Sequence, residues 1–185
     1  ADKNSPRANG EGWHTDVSCE VEPPMGSILH IETCPPRGGD TLFANMYAAY
    51  EALSDRMKAY LDGLTALHDG EQTYRGLYAN MGVADKQTYP RAEHPVVRTH
   101  PVTRKKALYV NRGFTSHIPQ LARFESNALL EMLYRVIETQ PAHLHRHAFG
   151  VGAELEAVSH HRIGRHDLHA PGQGRGRGRP GVVGR

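Results

Sequence analysis

Apolar and polar residues alternate across GSILHIETC, residues 26–34, with the period of a half-buried strand. PPRGGD at 35–40 is a turn signal, and TLFAN at 41–45 predicts a second short strand. At Met46 the period changes. Met46, Tyr50, Leu53, Met57, Tyr60, Leu61 and Leu64 recur at intervals near three and four, which predicts helix, and Ser54 is an N-cap that divides it in two. Residues 70–93 are polar with scattered tyrosines and no clean period, so they read as a long loop or lid. HPVVRTHP (94–101) and KALYVNRGF (106–114) predict a hairpin around the VTRK turn. From Glu125 to Glu138 an amphipathic helix carries Leu129, Met132, Leu133, Val136 and Ile137 on one side.

Beyond Thr139 the composition breaks. Residues 141–185 hold 7 of the 13 His, 9 of the 19 Gly, 7 Arg and no Lys, and end in the low-complexity run GQGRGRGRPGVVGR. Such a segment buries too little apolar surface to offset its ordering entropy, so 140–185 reads as a divergent, disordered tail behind a domain spanning 1–139. The 185 residues suffice for one domain with a core. The opening, ADKNSPRANGEG, reads as a loop inside a larger domain. A net charge of +2 argues against nucleic acid or a membrane surface as a general partner. No run approaches the ~20 apolar residues of a membrane span. Two cysteines, Cys19 and Cys34, make no disulfide framework, which together with the missing signal pattern points to the cytoplasm.

Candidate chemistry lies in GWHTDVSC, residues 12–19. On a strand, His14 and Asp16 would project from one face, and an imidazole nitrogen beside a carboxylate oxygen can take adjacent corners of one divalent metal. With a distant His they would form the facial triad of non-haem Fe(II) oxygenases, which leaves positions open for cosubstrate and dioxygen. Taken alone, H-x-D also describes a surface pair or a local hydrogen bond. Trp13 reads as packing. Gly38 and Gly39 permit the turn before Thr41. His94, His100 and Arg98 read as strand-flanking or strand-face residues rather than metal or catalytic groups, and the triad does not require Cys19.

WHTDVSCEVEPPMGSILHIETCPPRGGDTLFANMYAAYEALS resembles the opening of the catalytic region of taurine dioxygenase and its relatives, the taurine/chlorophenoxyacetate group of Fe(II)- and 2-oxoglutarate-dependent dioxygenases. HPVVRTHPVTRKKALYVNRGFTSHI resembles a second block of that family, and ESNALLEMLYRVIET the helix after it. The resemblance runs from about Gly12 to Thr139. It implies a mainly β fold with helical insertions, a partial double-stranded β-helix (a cupin-like jelly roll) incomplete at both ends. It also implies hydroxylation of a small organic acid, such as taurine or another sulfonate, with Fe(II), 2-oxoglutarate and dioxygen, releasing succinate and CO2. His14 and Asp16 would be the first two iron ligands. Thr41 would contact the 2-oxoglutarate carboxylate. Val17 and Phe114 would line the substrate pocket, with plain core packing as the alternative. A homo-oligomer is left open.

The family pattern continues with W-x-P-N and then W-D-N-R-x-x-x-H, whose His is the third ligand, and an Arg about eleven residues later that pairs with the far carboxylate of 2-oxoglutarate. Where that His is expected, near residue 163, the chain reads HHRIGRHDLH. Three explanations compete. His160, His161 or His166 could supply the ligand, with Arg177 in the place of the arginine. The tail could be a basic RNA- or metal-binding appendage. Or the reading frame shifts: VGAEL at 151–155 can be encoded so that the next frame reads W-A-P-N-S. The readings that rival a working dioxygenase are accordingly an inactive, frame-disrupted remnant and a basic-tail RNA binder.

Overall fold

The computed structural model describes residues 12–27, 41–80, 82, 88–139, 143–145 and 159–163, with only the backbone at Thr41, Asn80 and beyond Thr139. Twelve elements follow in chain order: β1 (Thr41–Asn45), α1 (Met46–Glu51), α2 (Asp55–Leu61), β2 (Thr65–Asp69), α3 (Glu71–Asn80), β3 (Arg91–Pro95), β4 (Val97–Thr99), β5 (Lys106–Leu108), β6 (Thr115–His117), α4 (Arg123–Thr139), β7 (His143–His145) and β8 (Ser159–Ile163). They form three antiparallel sheets in the orders β7-β1-β8, β3-β2-β6 and β4-β5.

The strand-to-helix switch at Met46 is set by Asn45, whose Oδ1 accepts from the backbone N–H groups of Tyr47 and Ala48, both at 3.1 Å. Ser54 caps α2 by accepting from Met57 N at 3.3 Å, so the expected division of the helix is present. Leu64, by contrast, lies beyond the helix, past Gly63 at φ 79. Ser54→Ala should lower stability by about 1 kcal/mol, read as a shifted urea midpoint with an unchanged slope. An unchanged midpoint would mean that α2 does not depend on its cap.

The 70–93 segment departs from the expected loop. It holds α3 and the start of β3, and β2, which the sequence pattern did not predict, precedes it. The inward-facing residues of β2 are Ala66 and His68, both fully buried, so the strand lacks the large apolar alternation that would mark it. In α3, Gly76 interrupts the helical signal, and the packed face is Tyr74 and Tyr78, which stack at 6.1 Å. Asp69 Oδ1 accepts from Glu71 N at 2.9 Å and starts that helix. The hairpin is present but short: Val97 pairs with Leu108 and Thr99 with Lys106, while His94 belongs to β3 and pairs with β2.

Helix α4 matches its expectation and buries Leu130, Leu133, Tyr134 and Ile137, with Leu129, Met132 and Val136 packed at the margin. They join Met46, Leu61, Val96, Leu108, Val110 and Ile118 in one core. Composition predicts disorder across 140–185, yet two segments there are strands. His143–His145 and Ser159–Ile163 occupy the two edges of β1. The expected strand at 28–34 and turn at 35–40 lie outside the described residues, while Gly26 and Ser27 are not in a strand. Among the described residues, no helix is long and apolar enough to cross a membrane.

Candidate functional site

His14 makes an isolated β-bridge and Asp16 opens a tight turn through Cys19, so the pair does not ride on a regular strand as expected. The two side chains nevertheless converge: His14 Nε2 lies 3.3 Å from Asp16 Oδ1. The far side of the ring is fixed. Nδ1 sits 2.7 Å from Gly12 O, and because a carbonyl only accepts, Nδ1 carries the proton and Nε2 is the nitrogen aimed at Asp16. Burial pulls the His14 pKa down, but the Asp16 hydrogen bond, the Gly12 hydrogen bond and the Asp16 charge outweigh it and leave it raised. On the other side, Ser27 Oγ donates to Asp16 Oδ2 at 2.7 Å.

The turn is held from below by buried polar contacts. Ser18 Oγ accepts from Asn111 Nδ2 at 2.9 Å and meets His68 Nδ1 at 2.9 Å. Asn111 Oδ1 in turn accepts from Phe114 N at 2.8 Å. Ser18, His68 and Asn111 are all buried, so each bond acts where water does not compete. Between Asp16 and Ser18, Val17 adopts φ 43, a left-handed conformation costly for a β-branched residue. The strain is tolerated because both neighbours are pinned, Asp16 toward His14 and Ser18 into the core.

Gly113 forms the wall behind His14. A Cβ there would lie 3.3 Å from both His14 Cβ and Asn111 Oδ1, so a larger residue would press on the base of the His14 side chain and on the Asn111 amide. The Gly113 carbonyl is gripped by Gln72 Nε2 at 2.8 Å and Thr73 Oγ1 at 2.5 Å, which ties α3 to the site. Phe114, 4% exposed, follows directly and packs edge-on against Tyr74 at 5.7 Å.

The structure therefore brings His14, Asp16 and Val17 together, with Phe114 one residue from the glycine that backs His14. Thr41 begins β1, and its side chain lies outside what is described. His160 and His161 lie on β8, opposite Ala44 and Phe43 respectively. His166 and Arg177 lie outside the described residues. Among the described residues, no group of three His, Cys, Asp or Glu side chains could hold a metal. His94 and His100 serve the backbone: His94 Nε2 bonds Glu20 O at 2.9 Å, and His100 Nδ1 accepts from Val102 N and Thr103 N. Arg98 lies over the Tyr109 ring at 5.0 Å. Cys19 is fully buried beside Tyr74 OH at 3.8 Å, and burial raises its pKa, so it is no thiolate at neutral pH. Trp13 packs against the core. Sequence reasoning missed Ser18, Ser27, His68 and Asn111.

The sequence and the antiparallel β framework with helical insertions both have counterparts in known proteins. The family described as "Taurine catabolism dioxygenase TauD, TfdA family" matches residues 1–153. The chain belongs to this family. It is 39% identical over 128 residues to an α-ketoglutarate-dependent sulfonate dioxygenase of Saccharomyces cerevisiae, covering 69% of this chain and 31% of that protein. A relative from Schizosaccharomyces pombe is 45% identical over 125 residues, covering 68% of this chain and 32% of its own length. The crystal structure of a taurine dioxygenase from Burkholderia xenovorans is similar at a TM-score of 0.65 and 34% identity, over 82% of this chain and 49% of that one. The chain thus spans about a third of the length of these curated relatives and about half of that solved structure. These dioxygenases have a jelly-roll fold, and this chain resembles them in its antiparallel sheets with helical insertions. The match passes Thr139, so part of the compositionally divergent tail is family sequence. Neither the inactive-remnant nor the RNA-binding alternative gains support from these matches.

Proposed function

We propose that the protein is an Fe(II)- and 2-oxoglutarate-dependent dioxygenase that hydroxylates a small organic acid of the sulfonate class. The observation that carries this reading is the 3.3 Å approach of His14 Nε2 to Asp16 Oδ1 with the back nitrogen of the ring committed to Gly12. Two donors bound at about 2.1 Å at right angles sit about 3 Å apart, so the pair fits adjacent corners of a six-coordinate metal. A neutral imidazole with a carboxylate suits non-haem Fe(II), which when bound would supply the dioxygen chemistry. A solved relative, 29% identical with a TM-score of 0.69, holds Mn(II) and N-oxalylglycine, which supports a divalent metal as part of this reading.

The chain's own residues would orient and exclude water. His14 and Asp16 would hold the metal, the buried Ser18 bonds would keep the Asp16 turn from relaxing, and Val17 and Phe114 would offer apolar contact to the substrate. Thr41 would donate to a 2-oxoglutarate carboxylate. Among the tail candidates for a third donor, position 161 is favoured. It lies opposite Phe43, and by the period of two along a strand it shares a face with position 41, which position 160 does not. Arg177 would pair with the far carboxylate of 2-oxoglutarate.

The test is Fe(II)-dependent release of succinate from 2-oxoglutarate by the purified chain, with taurine and other sulfonates as substrates. Succinate formation that rises with a sulfonate and stops on chelation of the metal is expected. No succinate, combined with metal binding indifferent to loss of His14, would overturn the proposal.

A further inference from the structure

We propose that Ser27 is a positioning residue that holds Asp16 to one-oxygen coordination and so preserves the open metal positions. This rests on the metal reading of His14 and Asp16. A carboxylate can grip a divalent ion through one oxygen or two, and a second oxygen would occupy a place that a cosubstrate needs. Asp16 is 39% exposed along its side chain, so packing alone does not choose its rotation. Two directed contacts orient it. Oδ2 accepts the Ser27 hydroxyl at 2.7 Å, and Oδ1 is left toward His14 Nε2 at 3.3 Å. A hydrogen bond to an ionised acceptor is the stronger kind and fixes the plane of the carboxylate.

The path of the chain supports a dedicated contact. Between Asp16 and Ser27 it runs through Glu20–Gly26, where Val21 and Met25 are 77% and 79% exposed, so apolar burial does little to bring Ser27 back. Pro23 and Pro24 stiffen the return by fixing their own φ and restricting the residues before them. The base of the loop is tied to β3 by the bond from His94 Nε2 to Glu20 O at 2.9 Å. Nothing local in EVEPPMGS marks the serine; it acts across eleven positions.

The experiment titrates Mn(II) alone into the full chain, its Ser27→Ala, Ser27→Thr and His14→Ala variants, following free Mn(II) by electron paramagnetic resonance. Co(II) visible absorption reports coordination number in parallel. Ser27→Ala should weaken Mn(II) binding about 10-fold, as loss of a partner behind a metal ligand does, and alter the Co(II) spectrum at an unchanged thermal midpoint. Ser27→Thr, which keeps the hydroxyl, should bind like the parent. Parent binding that requires His14 but is unchanged or tighter in Ser27→Ala overturns this inference alone. Absence of His14-dependent binding in the parent overturns the metal reading and this inference with it.

Discussion

His14→Ala is expected to weaken divalent-metal binding by more than about 100-fold, beyond the range seen when only the partner behind a ligand is lost. The variant removes one of the two described donors and leaves Asp16 with its Ser27 hydrogen bond. The fold should survive, because the imidazole contributes to stability mainly through its pairing with Asp16 and Gly12 at the edge of the core. A half-exposed ion pair is worth little to stability. Thermal unfolding of the metal-free protein should therefore change slightly while Mn(II) affinity collapses. Equal affinities for the parent and His14→Ala chains would end the oxygenase reading whatever the family.

The second large effect is acid sensitivity centred on His68. Burial is the main cause that drives its pKa down to about 3, with the nearby His94 charge adding to it and an interaction with the Tyr109 backbone only partly opposing. Around the ring stand Ser18, His94 and Tyr109, and among the described residues its buried Nε2 has no aligned hydrogen-bond partner. The folded-state pKa lies below the unfolded value, so the unfolded chain takes up the proton first. The stability from keeping His68 neutral is complete above pH ~6.5 and is lost as pH falls from there toward ~3, by up to about 4 kcal/mol. Between pH 6.5 and 5 ordinary carboxylates are still ionised, and the opposing contribution of His14, whose pKa is raised, is common to the parent and a His68 variant. Urea midpoints should fall with pH across that window in the parent and stay flatter in His68→Asn, whose amide can still reach Ser18. Parallel slopes in the two proteins would remove His68 as the cause.

How far the sequence could be read follows from where its physical signals lie. Helices α1, α2 and α4 announce themselves through large apolar residues at three- and four-residue spacing and through Ser54. Strand β2 and helix α3 do not, because their inward faces are built from Ala66, His68, Tyr74 and Tyr78 rather than aliphatic residues. Asp69 ahead of Glu71 and the Tyr74–Tyr78 spacing were the available signs of α3. At the site, His14 and Asp16 are two residues apart and so visible as a motif. Their support is not: Ser18 meets His68 and Asn111 across fifty and ninety-three positions, separations that leave no periodic trace. A third donor was unreadable for a different reason. In a tail crowded with His and Arg, ligand-like spacings arise by composition alone.

The Arg112 guanidinium carries a mechanical implication. It is clasped by Glu131 at 2.8 Å and Glu138 at 2.7 Å and lies 4.6 Å from the centre of the Tyr134 ring, all three on α4. The next residue is Gly113, the backstop of His14. The longest helix and the residue behind His14 are thus joined through a single peptide unit. Strain along the outer rim of α4 has a short covalent route to the wall behind His14.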